Sequence, residues 1–175
     1  MISKEIAEMI NQQINAELWS AYLYLSMSLD AEDKNLPGIA NWFRVQSQEE
    51  MSHSAILQNY MIAQEQKVRL MPIAIVPDTW NSPLSMFEKA LQHEMAVTDM
   101  IRTIAKQAHK EQDFATQNRM QWFIDEQVEE ENTATNLIHQ FKQTSTSPCL
   151  LYQLDNELAK RKYAMPEHTR AENWL

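Results

Sequence analysis

The chain has 175 residues, enough for one domain with a sizeable core, and contains one Gly, one Cys and eleven Met. Scarce glycine, 44% hydrophobic residues and few β-branched runs argue for an all-α protein. A net charge of −9 argues against nucleic acid as a partner and fits either a solvated surface or one that attracts cations. No run of about 18 apolar residues is present to span a membrane. The start, Met1-Ile2-Ser3-Lys4-Glu5-Ile6, lacks the basic-then-apolar pattern of a signal peptide. The lone Cys149 excludes an internal disulfide framework and fits a reducing, cytoplasmic setting.

In chain order, the first helix is predicted after the cap Ser3 and runs to about Asp33. Its inward stripe is Ile6, Ile10, Ile14, Glu17, Ala21, Tyr24 and Ser28. Asn35-Leu36-Pro37-Gly38 reads as a tight turn. The second helix is expected from about Ile39 to Gln66, with Phe43, Gln46, Glu50, His53, Leu57 and Tyr60 inward. From Lys67 to Pro83 the helical pattern stops, broken by Pro72, Pro77 and Pro83. Some 17 extended residues reach roughly 55 Å, whereas a helix of about 27 residues is roughly 40 Å long. This segment can cross the whole bundle, and an Ω-like loop is the alternative.

Ser82 caps a third helix, with Pro83 at its first position, running to about Lys110. Phe87, Leu91, Glu94, Val97, Ile101 and Ile104 point inward. A fourth helix follows from about Phe114 to Thr144, with Met120, Phe123, Gln127, Glu130, Ala134, Leu137 and Phe141 inward, and Ser145-Thr146-Ser147-Pro148 ends it. A short fifth helix is expected over about Leu150 to Lys162. The domain therefore spans residues 1–162, with a flexible tail over 163–175 that includes Trp174.

Each long helix carries a carboxylate within its apolar stripe: Glu17, Glu50, Glu94 and Glu130. Glu50 lies between Phe43 and Leu57, Glu94 between Phe87 and Ile101, and Glu130 between Phe123 and Leu137. Counted from the adjoining turns, the four lie about 15 to 18 residues deep, so their levels agree within roughly 5 Å. Gln48-Glu49-Glu50-Met51-Ser52-His53 adds an imidazole three residues after Glu50, on the same side of the helix. Ionised carboxylates converging in a dry core repel one another strongly, so cations must sit between them or the groups take up protons.

Hard oxygen ligands with one imidazole suit iron or manganese better than copper or a structural cysteine zinc site. The set is larger than one tetrahedral ion would use, so two metals sharing a bridging carboxylate, Glu50, is the natural solution. Bundles that hold such a pair combine a Glu from each of two helices with a Glu-x-x-His from each of the other two. Here the second helix has Glu50-x-x-His53, but the fourth has Gln127-x-x-Glu130. The reading is one firm metal position and one labile one. Glu49, Glu126, Glu129 and Glu130 form a second acidic set, either a solvated face or a third cation site. Tyr24, two turns from Glu17, is either a hydrogen-bond partner or electron donor for the ligands, or a core residue. Trp122 and the methionines are expected to pack. His93, His109, His139 and His168 are expected at the surface. A lone Met51 does not argue for an axial haem ligand, so no haem is expected.

The motifs Ala16-Glu17-Leu18, Gln48-Glu49-Glu50-Met51-Ser52-His53, His93-Glu94 and Gln121-Trp122-Phe123 leading into Glu126-Gln127-Val128-Glu129-Glu130-Glu131 make the chain resemble a bacterial non-haem ferritin over about residues 1–160. The resemblance implies a ferritin-like four-helix bundle with one long crossover between the second and third helices, plus a short fifth helix lining a four-fold axis. It implies a first iron at Glu17, Glu50 and His53, and a second at Glu50, Glu94 and Glu130 with Gln127 nearby. A third iron site would use Glu49, Glu126, Glu129 and Glu130, and Tyr24 matches the tyrosine near the centre. It further implies a homo-oligomeric hollow shell of twenty-four subunits that oxidises Fe(II) with O2 or H2O2 and stores the Fe(III) mineral. The sequence departs from the haem-containing bacterioferritin pattern, which has histidine at the position of Glu130. It also has Ser and Thr rather than glycine across Thr144 to Pro148, and a longer tail. A di-iron oxidase or peroxidase that keeps its metals would usually want histidines on both irons and an electron-donor domain. A passive shell without catalysis would not need a full ligand set.

Overall fold

Helix ends are written into the local sequence at most junctions. The structure, a computed structural model, describes residues 1–144 and 147–166. Its helices are α1 (Lys4–Asp33), α2 (Pro37–Ala63), α3 (Pro83–Lys110), α4 (Phe114–Thr144) and α5 (Pro148–Leu158), and there is no strand among the described residues. Ser3 Oγ accepts from Ile6 N at 3.1 Å, which starts α1. Ser82 and Ser85 cap each other reciprocally at the start of α3, with Pro83 in the first turn.

Three helices end in the same way. Asn35, Glu65 and Gln112 adopt left-handed conformations (φ 57°, 56° and 57°). The amides of Leu36, Gln66 and Asp113 each return to a carbonyl five residues back, at 2.9 to 3.0 Å. This is the Schellman closure, made here without glycine. It stops α2 at Ala63, short of the expected Gln66. At its other end α2 begins at Pro37 rather than Ile39, because proline's fixed φ suits the first helical turn.

The one glycine serves a different purpose. Leu36 gives α2 no side-chain cap. Asp155, buried on α5, supplies it instead: its Oδ1 accepts from Ile39 N at 2.8 Å. For α5 to come this close, residue 38 must lack a side chain, since a Cβ on Gly38 would lie 1.6 Å from the Asp155 carbonyl oxygen. The fifth helix itself covers Pro148–Leu158 rather than 150–162. Ser147 precedes it in extended conformation, while Ser145 and Thr146 lie outside the described residues.

α1 pairs with α2 and α3 with α4, α1 and α3 join the two hairpins, and α5 packs on α2 and α4. The linker over residues 64–82 has no regular structure and runs the length of α1. Asn11 Nδ2 donates to the Lys67 carbonyl at 3.3 Å and Asn11 Oδ1 accepts from Arg69 N at 2.7 Å. Ser26 Oγ donates to the Pro77 carbonyl at 2.7 Å, and Lys34 Nζ to the Trp80 carbonyl at 2.5 Å. The partners climb from Asn11 to Lys34, so the linker is the expected crossover and not an Ω-like loop.

The core falls into two apolar halves. One gathers Tyr24, Met27, Phe43, Phe87, Leu137 and Phe141; the other gathers Ile6, Ile10, Ile14, Leu57, Ile101 and Phe123. Every residue of the predicted stripes of α1, α2, α3 and α4 is buried except Leu91, which is half-buried. The methionines depart from expectation: Met27, Met61, Met86 and Met120 are buried, whereas Met1, Met51, Met95 and Met165 are exposed. Sulfur side chains tolerate both settings. At the start of the expected tail, the Tyr163 hydroxyl meets Ser52 Oγ at 2.5 Å. Residues 167–175, with His168 and Trp174, lie outside the described residues.

Gly38→Ala is expected to force α5 off α2 at a cost of about 1–3 kcal/mol, the range for overpacking. Thermal unfolding at matched protein concentration should show a clearly lower midpoint than wild type, with helix content at 20 °C or so retained.

Candidate metal centre

Between the two apolar halves lies a band of buried polar side chains, with one carboxylate from each long helix. Glu17, Glu50, Glu94 and Glu130 are buried, as are His53 and Gln127. The helical stripe explains why: these positions continue the inward face on which the isoleucines and phenylalanines lie, so packing the apolar halves carries the carboxylates inward.

Glu17, Glu50 and His53 each offer one ligand atom, and the three atoms lie within 4.8 Å of one another. His53 Nδ1 is 3.6 Å from Glu50 Oε2 and 4.0 Å from Glu17 Oε2, and its Nε2 is 3.8 Å from Glu126 Oε1. The imidazole edge rests on Trp122 and Phe123, with centroids 5.6 and 5.9 Å away. Glu17 Oε2 and His53 Nε2 are buried without a hydrogen-bond partner. Such orphans are costly in a protein interior. The buried carboxylate oxygens of Glu17 and Glu50 beside His53 Nδ1 suit a divalent cation of the iron or manganese kind.

The remaining carboxylates are held by amides and a phenol. Gln13 Nε2 donates to Glu17 Oε1 at 2.8 Å. Gln46 Nε2 donates to Glu130 Oε1 at 2.8 Å and to Glu50 Oε1 at 3.4 Å. Gln127 Nε2 donates to Glu94 Oε2 at 3.0 Å and to Thr98 Oγ1 at 3.3 Å. The Tyr24 hydroxyl donates to Glu94 Oε1. In this arrangement Gln127 and Tyr24 orient Glu94. Of the second acidic set, Glu126 is half-buried beside His53, Glu129 is exposed, and Glu49 is half-buried and paired with Arg161.

Burial and crowding make these groups hold their protons. Burial, then the neighbouring Glu94, pushes Glu130 up to about 8. Burial raises Glu50 well above the carboxylate range, with Glu94 adding and His53 opposing. Glu94 is raised by burial against the pull of its Tyr24 and Gln127 hydrogen bonds. Burial works against a charged His53, but Glu126, Glu50 and Glu17 outweigh it and push the imidazole well above its ordinary value. Burial, with Glu94 next, raises the Tyr24 phenol well above its usual value.

Sequence reasoning missed Gln13 and the partial burial of His93, and placed Gln46 inward without giving it a role. Gln13 and Gln46 each precede a site carboxylate by four positions, the spacing at which an amide meets it along one helix face. That repeated Gln-x-x-x-Glu was a readable signal. His93, expected at the surface, is instead tucked between α1 and α3. Its Nε2 meets Ser20 Oγ at 2.7 Å, and its ring lies 5.0 Å from Trp19 and 6.2 Å from Tyr24. Burial, followed by Lys89, lowers its pKa to about 4. No local pattern distinguishes it from His109 and His139, which are exposed.

The sequence model of the Ferritin-like domain matches residues 7–144. A bacterial non-heme ferritin of Bacteroides fragilis is 37% identical over 161 residues, covering 92% of this chain and 100% of its own length. One from Staphylococcus haemolyticus is 31% identical over 163 residues, covering 93% and 98%. Among solved structures, an open pore ferritin from the hyperthermophilic archaeon Archaeoglobus fulgidus has a TM-score of 0.91 at 40% identity, over 93% of this chain and 100% of that one. An engineered closed form of the Archaeoglobus ferritin has a TM-score of 0.92 at 39% identity, over 94% of this chain and 100% of that one. With four carboxylates and an imidazole buried across a four-helix bundle, and with these relatives along nearly its whole length, the chain belongs to the ferritin-like family.

Proposed function

We propose that this protein is an iron-storing ferroxidase. Fe(II) binds as a pair, the first ion at Glu17, Glu50 and His53, the second at Glu50, Glu94 and Glu130 with Gln127 alongside, and Glu50 bridges them. The observation that carries this reading is the buried trio Glu17, Glu50 and His53, whose ligand atoms lie within 4.8 Å of one another, with Glu17 Oε2 left without a hydrogen-bond partner. Each Fe(II) gives up one electron, so the pair reduces O2 to H2O2 with uptake of two protons, or H2O2 to water. Two ions held side by side confine the two-electron step and avoid radical release. Tyr24 keeps Glu94 oriented and is placed to be an electron donor.

The centre is uneven, and that favours turnover. One position has an imidazole; the other has only carboxylates and an amide. A weakly held second ion releases its ferric product, which then passes to Glu49, Glu126, Glu129 and Glu130 and onward to mineral. No haem is involved in this scheme. A store needs an enclosed space, which one chain does not make. Tyr22, Leu25 and Leu29 expose an apolar stripe on α1, and Leu70, Ile73 and Ile75 expose more on the crossover. Patches of this kind mark self-association, in line with a homo-oligomeric shell of twenty-four copies. No described helix is long and apolar enough to cross a membrane; a cytoplasmic setting is part of this proposal, and no nucleic acid partner is expected.

Mixing the anaerobic Fe(II) protein with oxygen and following ferric absorbance tests the assignment. Glu50→Ala and His53→Ala are each expected to slow the initial rate by at least about tenfold, the lower end for disturbed metal sites. Equal rates in wild type and both variants contradict it.

Protons held by the raised carboxyls must leave before a cation enters. Affinity for Zn(II), a redox-inert probe, is therefore expected to rise between about pH 6 and pH 8 and to level off once Glu130 ionises at about 8. The metal-free fold has the opposite trend. A carboxyl whose folded pKa is raised stabilises the fold fully below its ordinary range, and loses that contribution as pH climbs through about 8. Calorimetric titrations at stepped pH check the first trend and metal-free melting curves the second; flat profiles contradict the proton-held core.

A further inference from the structure

Beyond α5 the chain turns back along α2 and sends one side chain toward the metal centre. Asn41 anchors the turn, its Nδ2 donating to the carbonyls of Leu158, Ala159 and Arg161 at 3.2, 3.3 and 3.0 Å. Further on, Tyr163 meets Ser52 at 2.5 Å. Between these anchors Arg161 points inward. Its guanidinium carbon lies 4.5 Å from the Trp42 ring centroid, a stacked cation–π arrangement. Nη1 donates to the Trp42 carbonyl at 3.3 Å and to Gln46 Oε1 at 2.9 Å, and Nη2 donates to Glu49 Oε2. Gln46 then passes the contact on, because its Nε2 donates to Glu130 and Glu50.

Glu49 therefore already holds a cation, and that cation belongs to the chain. The contact is shielded, with the Arg161 side chain 23% exposed and that of Glu49 18% exposed. Arginine stays charged at every working pH, and its planar fork engages two acceptors at once. A metal ion and a guanidinium cannot take the same carboxylate oxygen together.

We propose that Arg161 is a positioning residue that acts as a resident competitor for iron at Glu49. It closes the outward cation position while iron occupies the dinuclear centre, and iron moving toward Glu49 and Glu126 must displace it. The same guanidinium fixes the carbonyl end of Gln46, which keeps the amide end on Glu130 and Glu50. Withdrawal of Arg161 thus opens the exit and loosens the second ion's carboxylates in one movement. This inference rests on the dinuclear reading given above.

Equilibrium dialysis against Zn(II), run on the assembled full-length protein, separates the two claims. Wild type should show a tight first binding phase, a weaker second and a still weaker third per chain. Arg161→Gln should leave the first phase in place, weaken the second as Gln46 loosens, and tighten the third by about tenfold or more. Adding Glu49→Gln to Arg161→Gln should abolish that gain. Tyr163→Phe, which removes the Ser52 contact but leaves the guanidinium, should bind as wild type does. If Arg161→Gln does not assemble, Arg161→Lys keeps the charge while losing the fork and should tighten the third phase by a smaller factor. A third phase unchanged in every Arg161 variant that assembles overturns the proposal, as does a gain that survives Glu49→Gln. Absence of the first two phases in wild type sinks the dinuclear reading itself and is recognisable without any Arg161 variant.

Discussion

Carboxylate repulsion in a dry interior is the constraint on which the structure depends. Glu17, Glu50, Glu94 and Glu130 arrive from four helices at one level, with His53 among them. Charges of one sign this close in a low dielectric would drive the helices apart. Several devices contain them. Gln13, Gln46, Gln127 and Tyr24 donate hydrogen bonds. Retained protons, as at Glu130, remove charge. What these leave over includes Glu17 Oε2, which lies 4.0 Å from His53 Nδ1, with Glu50 Oε2 3.6 Å from the same nitrogen, and that unmet polarity suits a cation. The same features that make the centre costly to fold make it ready to bind.

The scaffold exists to hold that level. Two apolar halves, one above and one below the polar band, clamp all four helices. Schellman closures at Asn35, Glu65 and Gln112 fix where helices end, and hence how deep each carboxylate lies. The crossover along α1 lets α3 begin at the end of the bundle where α1 finishes, near Lys34 and Trp80. The close approach at Gly38 brings α5, and the Arg161 segment after it, onto α2 beside the centre.

Much of this was legible because helices are periodic. The stripes of α1, α2 and α4 were readable in full, since an inward face repeats every three to four residues whatever it contacts. The four carboxylates stood out for the same reason: each interrupts an apolar stripe. Pro72, Pro77 and Pro83 gave away the crossover, because proline cannot sustain a helix. What was not legible depends on contacts far apart in sequence. Nothing local tells that Asp155 caps α2, that His93 is wedged beside Trp19 and Tyr24, or that Arg161 reaches Glu49. The start of α5 was misplaced because Pro148 starts a helix as readily as it ends one.

Uneven ligands distinguish a centre that passes iron on from one that keeps it. In the proposed pair of positions, His53 would strengthen one, while Gln127 and Glu130 would give the other no nitrogen donor of that kind. Iron retained by the assembled particle after repeated aerobic additions of Fe(II), counted by elemental analysis against protein, reads this difference directly. A store fed by turnover predicts retained iron that climbs with each addition, far past a pair of ions per chain. Retention that halts at a pair per chain, however much Fe(II) is supplied, would contradict it and mark the metals as a fixed cofactor.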